Sequence, residues 1–185
     1  MKKLLLIVLC FCALNIYAQE QKEGIDIGLS YGAGKAYTAK NYEHNNHYFR
    51  ANWLYTPKQK DHYLQYQVLL APEINFAEHR QYGNVIDLKE YSLNIGGIAR
   101  RSFSKQFSGL VLLSVGPDYL SKSTPRLSKG VAFSSNLALG ATYKIEDISL
   151  NMTYGIRHLS NANIRPVNGG IDTHNLEFGV TYRLK

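Results

Sequence analysis

Apolar and polar residues alternate with a period of two along most of this chain, and this pattern constrains the fold more than any other feature. A β-strand sends successive side chains to opposite faces, so the alternation predicts strands with one apolar face. Abundant Tyr, Gly, Ser and Asn also favour strands and turns over helices. The sequence therefore predicts an all-β protein. The candidate strands are residues 25–31, 48–55, 63–76, 88–103, 107–115, 131–143, 148–160 and 172–184.

Several of these strands are longer than is usual in soluble sheets and reach the length that crosses a membrane at a tilt. The connections between them also alternate in length. Short ones are predicted at 56–61, 104–106 and 144–147, and longer ones at 32–47, 79–86, 116–130 and 161–171. Short turns on one side and long loops on the other are typical of a closed barrel with both termini in the periplasm. We expect an eight-stranded antiparallel transmembrane β-barrel of the outer membrane.

A soluble β-sandwich or a lipocalin-like barrel is the alternative, because alternation alone does not say which face is wet. The strand at 148–160 favours the membrane barrel, since its second face carries Ser149, Asn151, Thr153 and Gly155, which would fill an oily core poorly. Aromatic residues near strand ends or on the apolar face fit the girdles of a membrane barrel. They are Tyr31, Tyr48, Tyr55, Tyr63, Tyr91, Phe103, Phe107, Phe133, Tyr143, Tyr154 and Tyr182.

The first residues have the pattern of a secretory signal peptide. Met1-Lys2-Lys3 precedes an apolar run at 4–14, and small Ala18 precedes a polar segment. We expect cleavage after Ala18, leaving residues 19–185 as the barrel domain; an anchored helix is the alternative. Cys10 and Cys12 both lie in the removed segment, so disulfide and thiol chemistry are excluded from the mature protein. The formal net charge of +7, to which the signal contributes two lysines, suits either an anionic partner or ordinary solubility.

The last two predicted strands carry polar residues on their apolar face. Counting by twos along 148–160 places His158 and Ser160 with Ile156 and Tyr154, and counting along 172–184 places Asp172 on the matching face. Glu177 has the opposite parity and should face the barrel interior. Antiparallel neighbours joined by a loop bring such residues together. We expect His158, Ser160 and Asp172 to meet on the outer wall.

A serine becomes a useful nucleophile when a histidine removes its proton and a carboxylate orients that histidine. Asn161 and nearby backbone N–H groups could donate to the developing oxyanion. Titratable groups on a lipid-facing wall are costly and are usually functional. The alternative is that they lie among the headgroups, where polar residues cost little. His174 shares the outward parity and is interpreted as a neighbour of the site.

The stretch 155–162, Gly-Ile-Arg-His-Leu-Ser-Asn-Ala, followed by Asn-Gly-Gly-Ile-Asp at 168–172, resembles the signature of the outer-membrane lipid A 3-O-deacylases. The resemblance covers about the last thirty residues and implies an eight-stranded barrel with a His-Ser-acid triad on its outer surface. By position it makes Ser160 the nucleophile, His158 the base and Asp172 the acid, with Asn161 in the oxyanion site. Asp172 stands where the family also uses Glu, and Asn163 stands where Gly is common.

Basic residues in the predicted outer loops, Arg126, Lys129 and Arg165, could bind the phosphates of lipid A, although solvated loop charges are the alternative. His44 and His47 have no third ligand spaced near them, so we expect neither a metal nor another cofactor.

Taken with the resemblance to the deacylases, which implies the substrate, the residues lead us to expect an outer-membrane serine esterase that removes the 3-position acyl chain of lipid A, with lipopolysaccharide as its partner and its site near the outer leaflet. A non-catalytic small barrel with a structural or surface-binding role is the alternative. Chain-length preference, a preference between lipid A and phospholipid, and oligomeric state are left open, as is the effect on assembly of ending on Lys185 instead of an aromatic residue.

Overall fold

A computed structural model describes residues 23–36, 41–59 and 64–184. The predicted signal peptide, residues 1–18, lies outside the described residues, as does Tyr63. The described chain forms β1 (Gly24–Ala36), β2 (Glu43–Thr56), β3 (Gln65–Gln81), β4 (Asn84–Ser102), β5 (Phe107–Leu120), β6 (Gly130–Ile145), β7 (Ile148–Ser160) and β8 (Ile171–Arg183).

Each strand pairs antiparallel with the next, and β1 pairs with β8, so the sheet closes into a barrel. The strands run from 13 to 19 residues, which exceeds the roughly 9–11 needed to cross a bilayer. The predicted eight-stranded antiparallel barrel is confirmed. None of the described residues forms a helix long and apolar enough to span a membrane. We call the end with the β1–β2, β3–β4, β5–β6 and β7–β8 connections the loop end, and the other the turn end.

The strands extend further towards the loop end than the sequence pattern predicts. The expected long connection at 79–86 is a two-residue turn, in which Tyr82 and Gly83 have φ values of 51° and 77°. Positive φ at both central residues is typical of the type I′ turns that join twisted strands. Likewise β5 continues to Leu120. On β3 the outward residues beyond Phe76 are the polar Glu78 and Arg80, and on β5 Gly116 and Pro117 interrupt the pattern. The ladder thus continues where the apolar alternation in the sequence has faded.

The outer wall is apolar, as the membrane interpretation requires. Leu29, Leu139 and Phe178 are 71%, 63% and 54% exposed, far more than is usual for such residues in a soluble protein. Most of the predicted girdle aromatics lie on this wall, but Tyr48 does not. Its side chain is buried in the interior and its hydroxyl donates to Glu177 Oε2 at 2.9 Å. Tyr48 has the inward parity of Arg50. Its assignment to the aromatic girdle rested on its position near the strand end and is wrong.

The interior contains polar networks between two apolar clusters. Arg50 bridges the carboxylates of Glu73 and Glu177 at 2.7 and 2.8 Å, which confirms the inward parity predicted for Glu177. Arg157 likewise bridges Glu90 and Asp118, at 2.8 Å each. The apolar cluster at the loop end is formed by Tyr42, Ala77, Leu88, Leu120, Leu127, Ala132, Leu159 and Ile171. A second, towards the turn end, is formed by Leu54, Leu69, Ala71, Ile98, Leu110 and Leu112. The interior is thus less uniformly polar than strand β7 alone suggests.

Candidate active site

His158 and Asp172 are direct cross-strand partners at the loop end of β7 and β8. The Nδ1 atom of His158 lies 2.6 Å from Asp172 Oδ1. An ionised carboxylate only accepts hydrogen bonds, so Nδ1 carries the donated hydrogen and Nε2 is left to face other groups. The two side chains are 52% and 27% exposed, on the outer wall. The structure brings these two residues together as parity predicts.

Residues on the opposite face hold this pair in place. Leu159 and Ile171, the next cross-strand pair, are 0% and 1% exposed and pack into the apolar cluster at the loop end. Alternation then forces His158 and Asp172 outward. Their spacing is therefore set by a ladder that is anchored in the barrel interior.

Ser160 is the last residue of β7 and lies on the same face as His158. Within the described residues, no hydrogen bond joins the side chains of Ser160 and His158. The Cε1–Nε2 edge of the His158 ring lies against Gly170, where an added Cβ would be 3.1 Å from Cε1 and 3.9 Å from Nε2. Gly170 immediately precedes Ile171, the partner of Leu159, so this edge of the ring borders the end of the β7–β8 loop.

Gly170 is required by its backbone as well as by this contact. Its φ of 64° is left-handed, a conformation that costs a residue with a Cβ more than it costs glycine. Asn163, in the same β7–β8 loop, has a φ of 62°, which explains why asparagine can stand where glycine is common, since asparagine tolerates this region better than most residues.

The side chain of Asn161 lies inside the β7–β8 loop, not on the exposed face with His158. It is fully buried, its Nδ2 donates to Val167 O at 2.7 Å, and its Oδ1 accepts from the backbone N–H of Asn163 at 3.0 Å. Its own backbone N–H donates to Asn168 Oδ1 at 2.9 Å, and Asn168 Nδ2 donates to Asn163 Oδ1 at 2.9 Å. These three asparagines form a ring of hydrogen bonds that shapes the loop beside Ser160.

Arg126 holds the same loop from the neighbouring β5–β6 connection. Its guanidinium donates from Nε to Gly170 O at 2.6 Å and from a terminal nitrogen to Gly169 O. It also lies 4.5 Å from the ring centroid of Tyr42, within cation–π range. Two of the guanidinium nitrogens that the sequence suggested for a lipid phosphate thus donate to backbone carbonyls next to His158.

Lys129 and Arg165 remain exposed at the rim of the loop end. The guanidinium of Arg165 lies close to Gly130, the residue after Lys129, so both cations are near the β7–β8 loop. His44 and His47 point to opposite faces of β2, one buried and one exposed. In the ranges that the structure describes, no group of three or more His, Cys, Asp or Glu side chains could hold a metal ion.

A shallow depression of about 120 Å³ lies on the outer wall beside the pair, on the β5–β7 side. Its outward side chains include Leu113, Ser135, Leu137 and Ile156, with His158 and Asp172 at its edge. On the β8 side, His174 stacks on Tyr154 at 5.7 Å and its Nδ1 lies 3.0 Å from the tyrosine hydroxyl. The outer wall next to His158 and Asp172 is therefore open on the β5–β7 side and covered by the Tyr154–His174 stack on the β8 side.

Sequence reasoning named several residues of the loop but missed how they shape it. Gly170 could have been found from the Gly-Gly pair before Asp172, which marks a backbone constraint. Nothing in the sequence indicates the contact of Arg126 with Gly169 and Gly170, because Arg126 is more than forty positions away from both.

Comparisons with known proteins identify the family and the fold of this chain. A family model described as lipid A 3-O-deacylase (PagL) matches residues 47–181. The solved structure of the outer membrane enzyme PagL covers 83% of this chain and 97% of its own, with 12% identity and a TM-score of 0.57. Neisserial surface protein A covers 89% of this chain and 100% of its own, at 13% identity and a TM-score of 0.58. OprG from Pseudomonas aeruginosa covers 89% and 97%, at 11% identity and a TM-score of 0.51.

The structural matches show that this chain has the fold of outer-membrane barrels. No curated protein matches the chain. The family match covers well over half of it. The chain therefore belongs to the lipid A 3-O-deacylase (PagL) family.

Proposed function

We propose that this outer-membrane barrel hydrolyses the ester-linked 3-position acyl chain of lipid A, with Ser160 as nucleophile, His158 as general base and Asp172 as the orienting acid. The observation that carries the proposal is the 2.6 Å contact between His158 Nδ1 and Asp172 Oδ1 on the outer wall, next to Ser160. An imidazole fixed in this way presents Nε2 as an acceptor.

The reaction follows from these positions. Ser160 Oγ attacks the ester carbonyl while His158 Nε2 takes its proton, and Asp172 stabilises the imidazolium that forms. The tetrahedral intermediate collapses, the C–O bond to the sugar breaks, and His158 returns the proton to the leaving sugar oxygen. A water molecule, deprotonated by His158, then attacks the acyl-enzyme carbonyl. The bond to Ser160 Oγ breaks, His158 returns the proton to Oγ, and the fatty acid is released. Ser160 must rotate towards Nε2 for the first step, a change that substrate binding can drive.

The oxyanion needs N–H donors beside Ser160. The side chain of Asn161 already donates to Val167 O, so its contribution is to shape the loop. We assign the donation to backbone N–H groups of the β7–β8 loop, which Asn161, Asn163 and Asn168 hold in place.

The depression on the β5–β7 side is suited to the acyl chain. Small Ser135 leaves space between Leu113 and Ile156, whereas the Tyr154–His174 stack covers the other side of the pair. A lipid that diffuses in the outer leaflet reaches this wall laterally, so its chains need not leave the membrane. Lys129 and Arg165 lie at the rim, where they can contact lipid A phosphates.

The test is direct hydrolysis of lipid A. Purified, detergent-folded protein should remove one hydroxyacyl chain, detected by mass spectrometry, and Ser160→Ala should abolish the loss. Ser102→Ala, at the turn end of β4, is the matched control and should retain activity. Heat-modifiable migration on gels checks that each variant is folded. Activity retained by Ser160→Ala would remove this serine from the mechanism, and an inactive wild-type protein would support the non-catalytic alternative.

A further inference from the structure

A second candidate binding surface lies on the wall opposite the candidate active site, at the loop end. It is a groove of about 920 Å³ along β1 to β5, whose central strand β3 is four strands away from β7 in the closed sheet. Ala33, His47, Phe76 and Lys89 form one continuous row of cross-strand partners along it, and Ser121 follows through hydrogen bonds with the backbone of Lys89. The deacylation mechanism uses none of these residues.

The floor of the groove is aromatic and contacts a cation. His47 and Phe76 stack with ring centroids 5.4 Å apart and an interplanar angle of 15°. The ammonium of Lys89 lies 5.7 Å from the centroid of Phe76, and Lys122 lines the same groove. Ala33, between Tyr31 and Lys35 on the outward face, leaves the floor open on its β1 side.

Carboxylates lie one step closer to the loop end. Glu78 and Asp87 are cross-strand partners that both face outward, an arrangement that is unfavourable for two like charges. Arg80 offsets part of this cost, since its guanidinium contacts the Glu78 carboxylate at 2.7 and 3.1 Å. Asp87 remains exposed beside this pair, two residues from Lys89.

The chemistry of the wall therefore changes from water to membrane. The carboxylates of Glu78 and Asp87 come first, with Arg80 paired to Glu78. The next rung holds both the ammonium of Lys89 and the aromatic floor, and Lys122 lines the groove beside it. Below the floor the wall is apolar, with outward Leu29, Phe49, Ile74 and Tyr91. A phosphoethanolamine lipid has the complementary order of ammonium, phosphate, glycerol esters and acyl chains.

We propose that this groove binds a zwitterionic glycerophospholipid with a primary ammonium headgroup. The ammonium donates to Asp87 and Glu78, the phosphate accepts from Lys89 and Lys122, and the acyl chains lie along the apolar wall. A headgroup with phosphate but no cation would leave the carboxylates facing its anion. A choline headgroup has a cation but no N–H to donate. The groove thus selects among lipids by charge order, and this does not depend on the proposed deacylation.

The experiment is native mass spectrometry of the folded protein in detergent, with phosphatidylethanolamine, phosphatidylglycerol or phosphatidylcholine added at equal concentration. We expect phosphatidylethanolamine to bind most strongly. Asp87→Asn should reduce its advantage over phosphatidylglycerol by roughly fivefold, the effect of one charge-assisted hydrogen bond at an exposed site. Lys89→Ala should weaken both lipids. Lys144→Ala, which removes an exposed cation at the turn end, should change neither.

Two results would overturn the proposal. Equal binding of the three lipids, with Lys89→Ala indistinguishable from Lys144→Ala, would mean that lipids coat this wall without selection. Displacement of phosphatidylethanolamine by an equal concentration of lipid A, unaffected by Asp87→Asn, would assign the groove to another lipid class. Heat-modifiable migration identifies folded variants, and a hydrolysis assay on the same samples tests the deacylase proposal separately.

Discussion

Replacing Arg126 by alanine should impair catalysis by releasing the loop beside His158, not by removing a phosphate contact. The guanidinium donates to Gly169 O and Gly170 O and lies over Tyr42. At this half-exposed site each hydrogen bond contributes about 1 kcal/mol and the cation–π contact about 0.5–1 kcal/mol. The variant therefore loses about 2–3 kcal/mol of loop positioning, which corresponds to a fall in kcat/KM of up to roughly 100-fold.

The assay separates the two roles of Arg126 by using two substrates. Lipid A carries phosphates, whereas a short nitrophenyl ester carries none. If Arg126 positions the loop, Arg126→Ala lowers kcat on both esters, and Arg126→Lys rescues little because an ammonium lacks the planar fork. Lys129→Ala removes the same charge from an exposed position and should leave the short ester unaffected. If Arg126→Ala hydrolysed the short ester at the wild-type rate, this reasoning would be refuted.

Three further predictions concern other contacts. Asp172→Asn should lower kcat by about 10⁴-fold with little change in folding, because His158 loses the partner that fixes its tautomer; a modest fall in initial-rate assays would contradict this. Gly170→Ala should lower kcat more than Gly83→Ala, since both have left-handed φ but an added Cβ contacts His158 only at Gly170; equal effects would argue against the ring contact. Arg157→Ala should destabilise the barrel by about 3–5 kcal/mol in urea unfolding, because it leaves Glu90 and Asp118 buried without a cation. Exposed Arg101→Ala is its control, and matching midpoints for the two variants would contradict the prediction.

Side-chain parity predicts much of this protein because a membrane barrel has two chemically different faces. Counting by twos placed His158, Ser160 and Asp172 on the outer wall and Glu177 inside, and the structure has each on that face. Tyr48 was expected on the outer wall because it lies near a strand end, although its parity is inward. Its hydroxyl donates to the buried Glu177 carboxylate. Faces are predictable from a local pattern, whereas the partner inside the barrel depends on the register of distant strands.

The loops could not be predicted in the same way. Asn161 has its side chain turned into the loop because Val167 O and the N–H of Asn163 need partners there. The β3–β4 connection is a tight turn because the strands continue past the apolar band. Both outcomes depend on particular hydrogen bonds and backbone conformations, which the period-two alternation of the sequence does not encode.

The pairing of His158 with Asp172 across one rung of the sheet divides the candidate site into two mechanical parts. In the proposed mechanism, the pair that moves the proton is held by the hydrogen-bonded ladder of the barrel. The N–H donors assigned to the oxyanion belong instead to a loop that is fastened by side-chain contacts, including those of Arg126. Changes in detergent or temperature that loosen the loop should therefore reduce turnover while the barrel is still intact.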